Sequence, residues 1–506
     1  MRGGAWGPSS GHGHSVAERV NYLCDQAMVA VHGTPLAGQI TAIRQRMSDP
    51  LRVAIAGRVK AGKSTLLNAL VGERLAPTDA GECTKVVSWY RQGFGYEVRA
   101  TLTNGDSREL RFRRDDGRLD INLGRFTVEE IERIDVAWPS SNLARVTLID
   151  TPGLASLSRS ASVRTHDFLA LGDEDRQSDA DAVLYLMRHM HRRDAEFLEA
   201  FFDEGLANTS PVNAIAVLSR ADEIGAGRPD ALESAAHIAE RYGKDERIRS
   251  LCVSVLPVAG LLAETGATMQ EHEAASLRAL AGVSSGPDAS ELQSMLLSVD
   301  RFLDPETSDL LVETRRELLE RLGLFGVRLA IAKIQAGEAL SAVDLSRILI
   351  DVSGLETLRA LLELHFTARA MALKGRSALA SLRSCANELA ASDRNAARRL
   401  LAEIEQVEAS THAFAELRLL HMVLTGQIKL TEEEQAEVNR LTGGGSLEQR
   451  AGLDPDATDE QIQQVALEGI ARWRQRASSP LLDRAQADAF EIAARSYEGI
   501  YAGVAR

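Results

Sequence analysis

The segment GRVKAGKS, residues 57–64, constrains the fold of this chain more than any other feature of its 506 residues. It fits the pattern GxxxxGK followed by Ser or Thr, comes after the apolar run LRVAIA and leads directly into TLLNAL. This order predicts a strand, a glycine-rich loop and a helix whose backbone N–H groups surround phosphates. We expect Lys63 to neutralise phosphate charge and the Ser64 hydroxyl to bind Mg²⁺. The other residues predicted to contact a nucleotide here are Gly57, Arg58, Val59, Lys60, Ala61, Gly62 and Thr65.

Apolar runs of strand length recur beyond this loop. Because they are apolar on both faces, they predict a mostly parallel sheet with helices on both sides. The segments EVRATLT and IERIDVAW alternate in polarity, which predicts antiparallel additions at an edge. We therefore expect an α/β domain over residues 50–303. The six predicted strands of its sheet are residues 51–56, 86–90, 146–149, 182–187, 214–218 and 251–255.

The rest of the chain has helical periodicity. Its pattern predicts an N-terminal helix over residues 15–49 and an all-α helical bundle over residues 304–506. The composition of residues 1–14 predicts a disordered tail. Capping boxes, in which a Ser or Thr is followed three residues later by Glu or Gln, mark expected helix starts. They occur at Ser15, Ser353 and Thr458.

Composition excludes several classes of protein. Lys plus Arg number 58 against 72 Asp plus Glu, so the net charge of −14 argues against a nucleic-acid-binding surface. The four cysteines lie far apart, which argues against a disulfide framework or a cysteine zinc site and indicates a reducing compartment. The best apolar run, residues 251–263, is shorter than the roughly 20 residues of a membrane-spanning helix, and residues 1–15 do not resemble a signal peptide. We expect a cytoplasmic protein.

Further motifs indicate that the nucleotide contains guanine. Asp150 ends the run VTLID and would hold the metal through water, while the Gly153 N–H could sense the γ-phosphate. Thr84 lies about 20 residues beyond the phosphate loop, where a switch segment would supply a second hydroxyl to Mg²⁺, and we prefer it to Thr78 because it adjoins a strand. The predicted metal ligands are Ser64, Thr84 and Asp150.

The segment SRAD, residues 219–222, stands where a guanine-reading sequence is expected. Asp222 is placed to accept hydrogen bonds from the N1–H and the 2-amino group of guanine, a donor pair that adenine lacks. Ser219 replaces the usual Asn or Thr, and Arg220 replaces the usual Lys, although Arg can also stack on a purine. Val258 and Ala259, after a later strand, would support the base through their backbone. Each motif follows a strand, where an open α/β sheet binds ligands.

With these motifs, GRVKAGKSTLLNAL, PTDAGECT, DTPGL and SRADE, the chain resembles the dynamin superfamily of large GTPases. It is similar in particular to the mycobacterial isoniazid-inducible dynamin-like proteins, through features such as SRADEIGAGR, LLSVDRF and THAFAELRLL. The resemblance implies an α/β P-loop GTPase domain, a helical neck that includes residues 15–49, and a helical trunk. It also implies self-association through the GTPase heads, a paralogous dynamin-like partner, and membrane remodelling during cell-envelope stress at the inner face of the plasma membrane.

One departure from the family bears on catalysis. Dynamins carry Gln and Ser where this chain has Val59 and Lys60; there the Gln helps to orient the attacking water. The related guanylate-binding proteins place an Arg finger in this loop. Lys60 is therefore either a source of transition-state charge or an ordinary loop lysine facing solvent. The predicted catalytic residues are Lys60, Lys63, Thr84 and Gly153.

Alternatives to a membrane-remodelling GTPase remain open from the sequence. Residues 323–337 could form an amphipathic element that contacts peripheral membrane lipid, or a buried helix beside the GTPase domain. The chain could also be a hydrolysis-poor partner subunit of an active paralogue, as Val59, Ser219 and Arg220 allow. A ribosome-assembly switch GTPase fits less well, because such proteins normally carry a basic RNA-binding domain.

Overall fold

The apolar run before the phosphate loop forms strand β1 (Leu51–Gly57), in the interior of a nine-stranded sheet. The computed structural model describes residues 15–77, 86–115, 118–152, 179–188, 211–282, 289–307 and 310–504. The tail expected at residues 1–14 lies outside these ranges.

Two compact units divide the chain. The sheet unit comprises residues 50–368 and 421–431, and the helical unit comprises residues 1–49, 369–420 and 432–506. Residues 304–368, which the sequence analysis grouped with the helical region, therefore belong to the sheet unit. The reason is packing, because Leu318 and Leu322 are buried in the same apolar cluster as Leu218 and Leu262.

The large sheet is mixed and mostly parallel, as predicted. Its strands run in the order β11-β10-β9-β1-β8-β2-β7-β3-β4, and β5 and β6 form a separate hairpin. Strand β7 is parallel to β2 but antiparallel to β3, so only one of its two pairings fits the predicted antiparallel edge. The bounds are β1 (Leu51–Gly57), β2 (Val87–Gln92), β3 (Glu97–Leu102), β4 (Ser107–Glu109), β5 (Arg111–Asp115), β6 (Arg118–Asn122), β7 (Ile131–Trp138), β8 (Val146–Asp150), β9 (Ala182–Met187), β10 (Ala214–Ser219) and β11 (Val255–Val258).

Both faces of the central strands are buried. Ala54 and Ala56 of β1 join one apolar cluster, while the alternate residues Val53 and Ile55 on the opposite face are equally inaccessible to solvent. A strand that is buried on both faces must be covered by helices on both sides. The described helices within the sheet unit are α3 (Lys63–Val71), α4 (Ala231–Lys244), α5 (Glu246–Arg249), α6 (Gly260–Thr268), α7 (Glu271–Gly282), α8 (Ala289–Met295), α9 (Val299–Phe302), α10 (Val312–Gln335), α11 (Ala342–Ser353) and α12 (Leu355–Leu362).

Two local predictions were wrong. Residues 251–254 are not a strand, because the N–H groups of Leu251 and Cys252 donate to the Ile248 carbonyl. The apolar side chains of these two residues pack into the same buried cluster as Ala54 and Ala56 of the sheet. Strand β11 starts only at Val255. Ser353 ends α11, and the N-cap of the next helix is Gly354 in a left-handed conformation (φ +82°), so the predicted capping box is absent. The Ser353 hydroxyl still accepts a hydrogen bond from the N–H of Leu355, the first residue of that helix, at 3.2 Å.

Among its described residues, the helical unit consists of helices and connecting loops, without a strand. The predicted N-terminal helix is two helices, and the capping boxes at Ser15 and Thr458 are confirmed. Helices α18 and α19 cross closely at Gly469, where a Cβ would lie 2.7 Å from the Tyr497 ring. The bounds are α1 (Val16–Val31), α2 (Leu36–Ser48), α13 (Ala370–Leu389), α14 (Arg394–Ser410), α15 (His412–Leu424, of which residues up to 420 belong here), α16 (Glu432–Leu441), α17 (Leu447–Ala451), α18 (Asp459–Ala477) and α19 (Arg484–Val504).

A buried lysine fastens the end of α2 to α13. The Lys374 Nζ donates to the carbonyls of Met47 and Asp49 at 2.8 and 2.7 Å, and the side chain is buried. These carbonyls belong to the C-terminal end of α2, where intrahelical partners are missing. Lys374 thus supplies the donors that the helix terminus lacks.

We predict that Lys374→Met leaves these carbonyls unsatisfied and lowers the free energy of opening of α2 by about 2–4 kcal/mol. Hydrogen exchange of the α2 amides measures this quantity directly. The matched control is Lys244→Met, which removes an exposed lysine that pairs with Glu240 in the other unit. If α2 keeps its protection in Lys374→Met, the proposed role of this lysine is wrong.

Candidate nucleotide-binding site

The predicted nucleotide-binding residues cluster at the carboxyl ends of β1, β8, β10 and β11. A cleft open to solvent lies there, beside the N-terminus of α3. Seven of the residues that line it were predicted from the sequence: Ala61, Gly62, Thr65, Ser219, Arg220, Asp222 and Val258. The other residues of its lining are Leu66, Leu186, Val217, Glu223, Gly260 and Leu261.

The loop between β1 and α3 depends on backbone conformations that favour glycine. A Cβ on Gly57, whose φ is +147°, would lie 2.4 Å from the Leu186 carbonyl oxygen on the neighbouring strand β9. Gly62 (φ +91°) is the residue before α3, and having no side chain it cannot cap the first turn. The N–H groups at the start of α3 therefore remain available to an anion. Lys60 also adopts a left-handed conformation, with φ +62°.

The Lys63 ammonium group lies against the loop backbone. Its Nζ is 3.4 Å from the Gly57 carbonyl oxygen and 3.5 Å from that of Arg58, both longer than an ordinary hydrogen bond. Burial lowers the pKa of Lys63, and the nearby Asp150 carboxylate acts in the opposite direction. A phosphate group at the loop would supply the negative charge that this ammonium group lacks.

Ser64 and Asp150 place two side-chain oxygens next to each other at the end of β8. The Ser64 hydroxyl donates to Asp150 Oδ2 at 2.6 Å. Asp150 is buried, and its Oδ1 has no hydrogen-bond partner among the described residues. Burial raises the pKa of Asp150, while Lys63 and the Ser64 hydroxyl oppose the shift. A buried carboxylate with one unsatisfied oxygen beside a hydroxyl fits Mg²⁺, which takes oxygen ligands and is usually shared between one or two side chains, phosphates and water.

At the other end of the cleft, Asp222 is only 4% exposed. Burial raises its pKa to about 6; Glu223 adds to the shift, while a backbone hydrogen bond and Arg220 oppose it. The Ser219 hydroxyl donates to the Met187 carbonyl at 3.2 Å, so it ties β10 to β9. Arg220 has a left-handed backbone (φ +55°) and its guanidinium pairs with Glu223 at 2.6 Å.

The two residues predicted after β11 differ in their surroundings. Val258 lines the cleft, whereas Ala259 is buried and its N–H donates to the Ser353 carbonyl at 2.9 Å. Gly260 comes next, and a Cβ there would be 3.6 Å from the Thr65 methyl group. The backbone of Ala259 is thus occupied by an internal hydrogen bond, and Gly260 keeps the cleft open beside Thr65.

Thr84 and Gly153, predicted to act on the metal and the γ-phosphate, lie outside the described residues, as does Thr78. Arg188 was not among the residues predicted from the sequence, and its Nη2 donates to the Lys60 carbonyl at 3.3 Å. Arg188 directly follows β9, so the rule that ligands bind at the carboxyl ends of parallel strands could have identified it.

Comparisons with known proteins identify the family of the chain. The sequence profile of the Dynamin family matches residues 53–215, which include the phosphate loop and Asp150. The chain is 37% identical over 499 residues to the isoniazid-induced protein IniC of Mycobacterium tuberculosis, in the CDC 1551 and H37Rv strains, covering 96% of this chain and 99% of that protein.

Shorter matches involve two other bacterial proteins. The isoniazid-induced protein IniA of Mycobacterium tuberculosis is 33% identical over 155 residues, covering 29% of this chain and 23% of IniA. The bacterial dynamin-like protein of Nostoc punctiforme is 30% identical over 148 residues, covering 27% of this chain and 20% of that protein. A solved chain from "An oligomerised bacterial dynamin pair provides a mechanism for the long range sensing and tethering of membranes" is 14% identical, covers 99% of this chain and 77% of its own length, and has a TM-score of 0.30, too low to support an argument.

The match to IniC extends over nearly the whole of both chains, and the dynamin profile covers the phosphate loop and Asp150. On this evidence the chain belongs to the dynamin family, as a relative of IniC.

Proposed function

We propose that this protein binds GTP together with Mg²⁺ and hydrolyses it to GDP and phosphate. The observation that carries the proposal is the position of one phosphate-binding loop, one oxygen ligand pair and one buried carboxylate around a single cleft. Asp222 lines the cleft together with Ala61, Gly62 and Thr65. Lys63, Ser64 and Asp150 adjoin these loop residues at the start of α3. Their separation into a phosphate end and a base end matches the two parts of a nucleoside triphosphate.

At the phosphate end, each residue has a distinct role in the proposal. Lys63 and the N-terminus of α3 bind the phosphate oxygens, while Ser64 and Asp150 would hold Mg²⁺. The metal, when bound, offsets negative charge on the phosphates. Gly57 and Gly62 keep the loop backbone close to its ligand. Thr84 and Gly153 complete the proposed catalytic set.

At the base end, Asp222 selects guanine. As a carboxylate it accepts two hydrogen bonds from the N1–H and the 2-amino group, and adenine would leave this buried charge unpaired. Arg220 lies beside it and would cover one face of the purine, as the aliphatic part of a lysine does in the usual sequence. Val258 adds apolar contact on the wall of the cleft.

Family membership extends the proposal beyond the nucleotide. We infer that the GTPase heads self-associate, that a paralogous dynamin-like protein serves as partner, and that the protein acts on membrane lipid from the cytoplasm, at the inner face of the plasma membrane, during cell-envelope stress. Within the described residues, no helix is both long and apolar enough to span a bilayer. Residues 323–337 are a poor candidate for lipid contact, because Phe325, Val327 and Ile331 are buried in the sheet unit.

A second candidate function is a hydrolysis-poor subunit that supports an active paralogue. Val59 favours it, because this side chain is 47% exposed at the phosphate loop and cannot orient an attacking water by hydrogen bonding. The two candidates differ in one measurable property, the steady-state rate of GTP hydrolysis.

We predict that the protein hydrolyses GTP slowly in dilute solution and that its turnover per molecule rises with protein concentration, because a second head orders the catalytic loops. Steady-state phosphate release, measured over the micromolar range with and without vesicles of phosphatidylcholine and phosphatidylglycerol, tests both statements. Turnover that stays near zero under all these conditions would support the hydrolysis-poor subunit, and a concentration-independent rate would contradict activation by head pairing.

The same assay tests Lys60. If its ammonium group offsets transition-state charge, Lys60→Ala should lower the turnover by about 100-fold or more, a typical loss for one electrostatic group. The matched control is Lys244→Ala, which removes a lysine from α4 far along the chain. Unchanged turnover in Lys60→Ala would mean that Lys60 is an ordinary loop residue.

Asp222 should make guanine binding dependent on pH. Since its pKa in the free protein is about 6, lowering the pH through this value protonates the carboxyl group, and GDP affinity should fall by up to about tenfold per pH unit. Calorimetric titration of GDP between about pH 7.5 and about pH 5 measures the effect. In Asp222→Asn, affinity at the higher pH should be at least about 30-fold weaker because charge-assisted hydrogen bonds are lost.

The variant also serves as the control for protonation of the GDP phosphates, which occurs in both proteins. Only the additional pH dependence of the unmodified protein belongs to Asp222. Identical pH profiles in the two proteins would show that Asp222 does not read the base.

A further inference from the structure

Helix α10 (Val312–Gln335) has a sharp interruption at Gly323. The residue adopts φ +64° and ψ 171°, while the helix continues on both sides. This combination of angles is essentially restricted to glycine, and any other residue there would be strained. Strained backbone of this kind persists only where the surrounding structure holds it, which makes its surroundings informative.

The interruption has a hydrogen-bond partner of its own. In an uninterrupted helix the Arg321 carbonyl would accept from the N–H of Phe325, which lies beyond the kink. Here the Thr265 hydroxyl on α6 donates to the Arg321 carbonyl. Thr265 is completely buried, so this bond ties the turn before the kink to α6 inside the core. The kink is therefore built into the packing of α6 against α10.

Gly323 lies directly beside the base end of the cleft. A Cβ placed on it would be 3.8 Å from Asp222 Oδ2 and 3.8 Å from the Leu261 Cδ1, and both residues line the cleft. Both distances are ordinary van der Waals contacts, so the methyl group of an alanine at position 323 would not clash with either residue. The substitution would act through the strained backbone conformation that alanine would have to adopt. The kinked backbone of α10 thus forms a wall behind the carboxylate.

The same helix also holds the far end of the segment that carries Asp222. The Arg328 Nη1 donates to the Gly227 carbonyl at 2.9 Å, and its Nε donates to the Leu296 carbonyl at 2.7 Å. Gly227 ends the short 3₁₀ segment Ala221–Ala226. The hydrogen bond at Gly227 and the proximity of Gly323 to Asp222 place both ends of this segment beside α10.

We propose that Gly323 is a positioning residue for guanine recognition, because its kink allows α10 to support Asp222 at the angle that the base requires. The inference rests on the proposed function, in which Asp222 accepts two hydrogen bonds from guanine. Hydrogen bonds weaken steeply as their angle departs from linearity, so a carboxylate that must accept from two donors at once depends on a rigid support.

The test compares the affinities of GDP and inosine diphosphate, whose base lacks the 2-amino group but is otherwise the same. In the unmodified protein GDP should bind about 10- to 100-fold more tightly, the usual worth of one hydrogen bond to a charged group. In Gly323→Ala this ratio should fall at least about 5-fold, since a displaced carboxylate gains less from the second donor. Calorimetry with the two diphosphates does not require hydrolysis.

Gly337→Ala is the matched control. Gly337 follows the same helix, also has a positive φ of +74°, and has open space around its Cβ position. An alanine there also carries a backbone penalty for its positive φ but has no contact with Asp222, so the affinity ratio should be unchanged. Thr265→Val removes the hydroxyl that donates to the Arg321 carbonyl but keeps the shape of the side chain. This variant should lower the ratio, as Gly323→Ala does.

The outcomes separate the inference from the function on which it rests. A ratio near one in the unmodified protein would refute base reading by Asp222, and the role of Gly323 with it. A clear preference for GDP that Gly323→Ala retains, or equal losses of affinity for both diphosphates, would refute the role of Gly323 alone. If Gly323→Ala does not fold, the ratio in Thr265→Val decides, and an unchanged ratio there overturns the inference.

Discussion

The close approach of β1 and β9 at Gly57 is the constraint on which the candidate site depends. The Leu186 carbonyl occupies the space where any side chain at position 57 would start. The parallel register pairs Gly57 with Leu186, so the chain leaves the sheet at a point where β9 also ends. The phosphate loop, the start of α3 and Arg188 consequently meet at one edge. Any residue larger than glycine at position 57 would force these two strands apart.

Burial of incompletely paired charges is the second property that defines the site. Lys63, Asp150 and Asp222 all have pKa values shifted toward the neutral form, and in each case burial is the largest cause. Such groups reduce the stability of the folded chain until a ligand of complementary charge and hydrogen bonding is bound. A ligand that binds only the folded state raises its stability. The electrostatics of the cleft therefore favour a ligand that combines phosphates, a divalent cation and a donor-rich base.

The sequence was sufficient for the features that depend on local pattern. The strand before the phosphate loop, the mostly parallel sheet and the caps at Ser15 and Thr458 follow from hydrophobic periodicity and from residue types at fixed spacing. The same reasoning gave a wrong prediction for residues 251–254. Apolar composition indicates that a segment is buried, but it does not distinguish a strand from a turn packed under a sheet. The position of Gly323 beside Asp222 depends on a residue more than 100 positions away along the chain. No local pattern contains that information.

Helix α6 joins the two ends of the site through consecutive residues. Glu264 accepts a hydrogen bond from Asn68 of α3 at 2.9 Å, and the next residue, Thr265, donates to the carbonyl of Arg321 at the kink of α10. Both contacts are buried, and the pKa of Glu264 is raised by its burial, with Arg321 and Asn68 among the groups that oppose the shift. The helix that follows the phosphate loop and the helix that supports Asp222 are thus held by one element, which gives the phosphate and base ends of the cleft a common mechanical support.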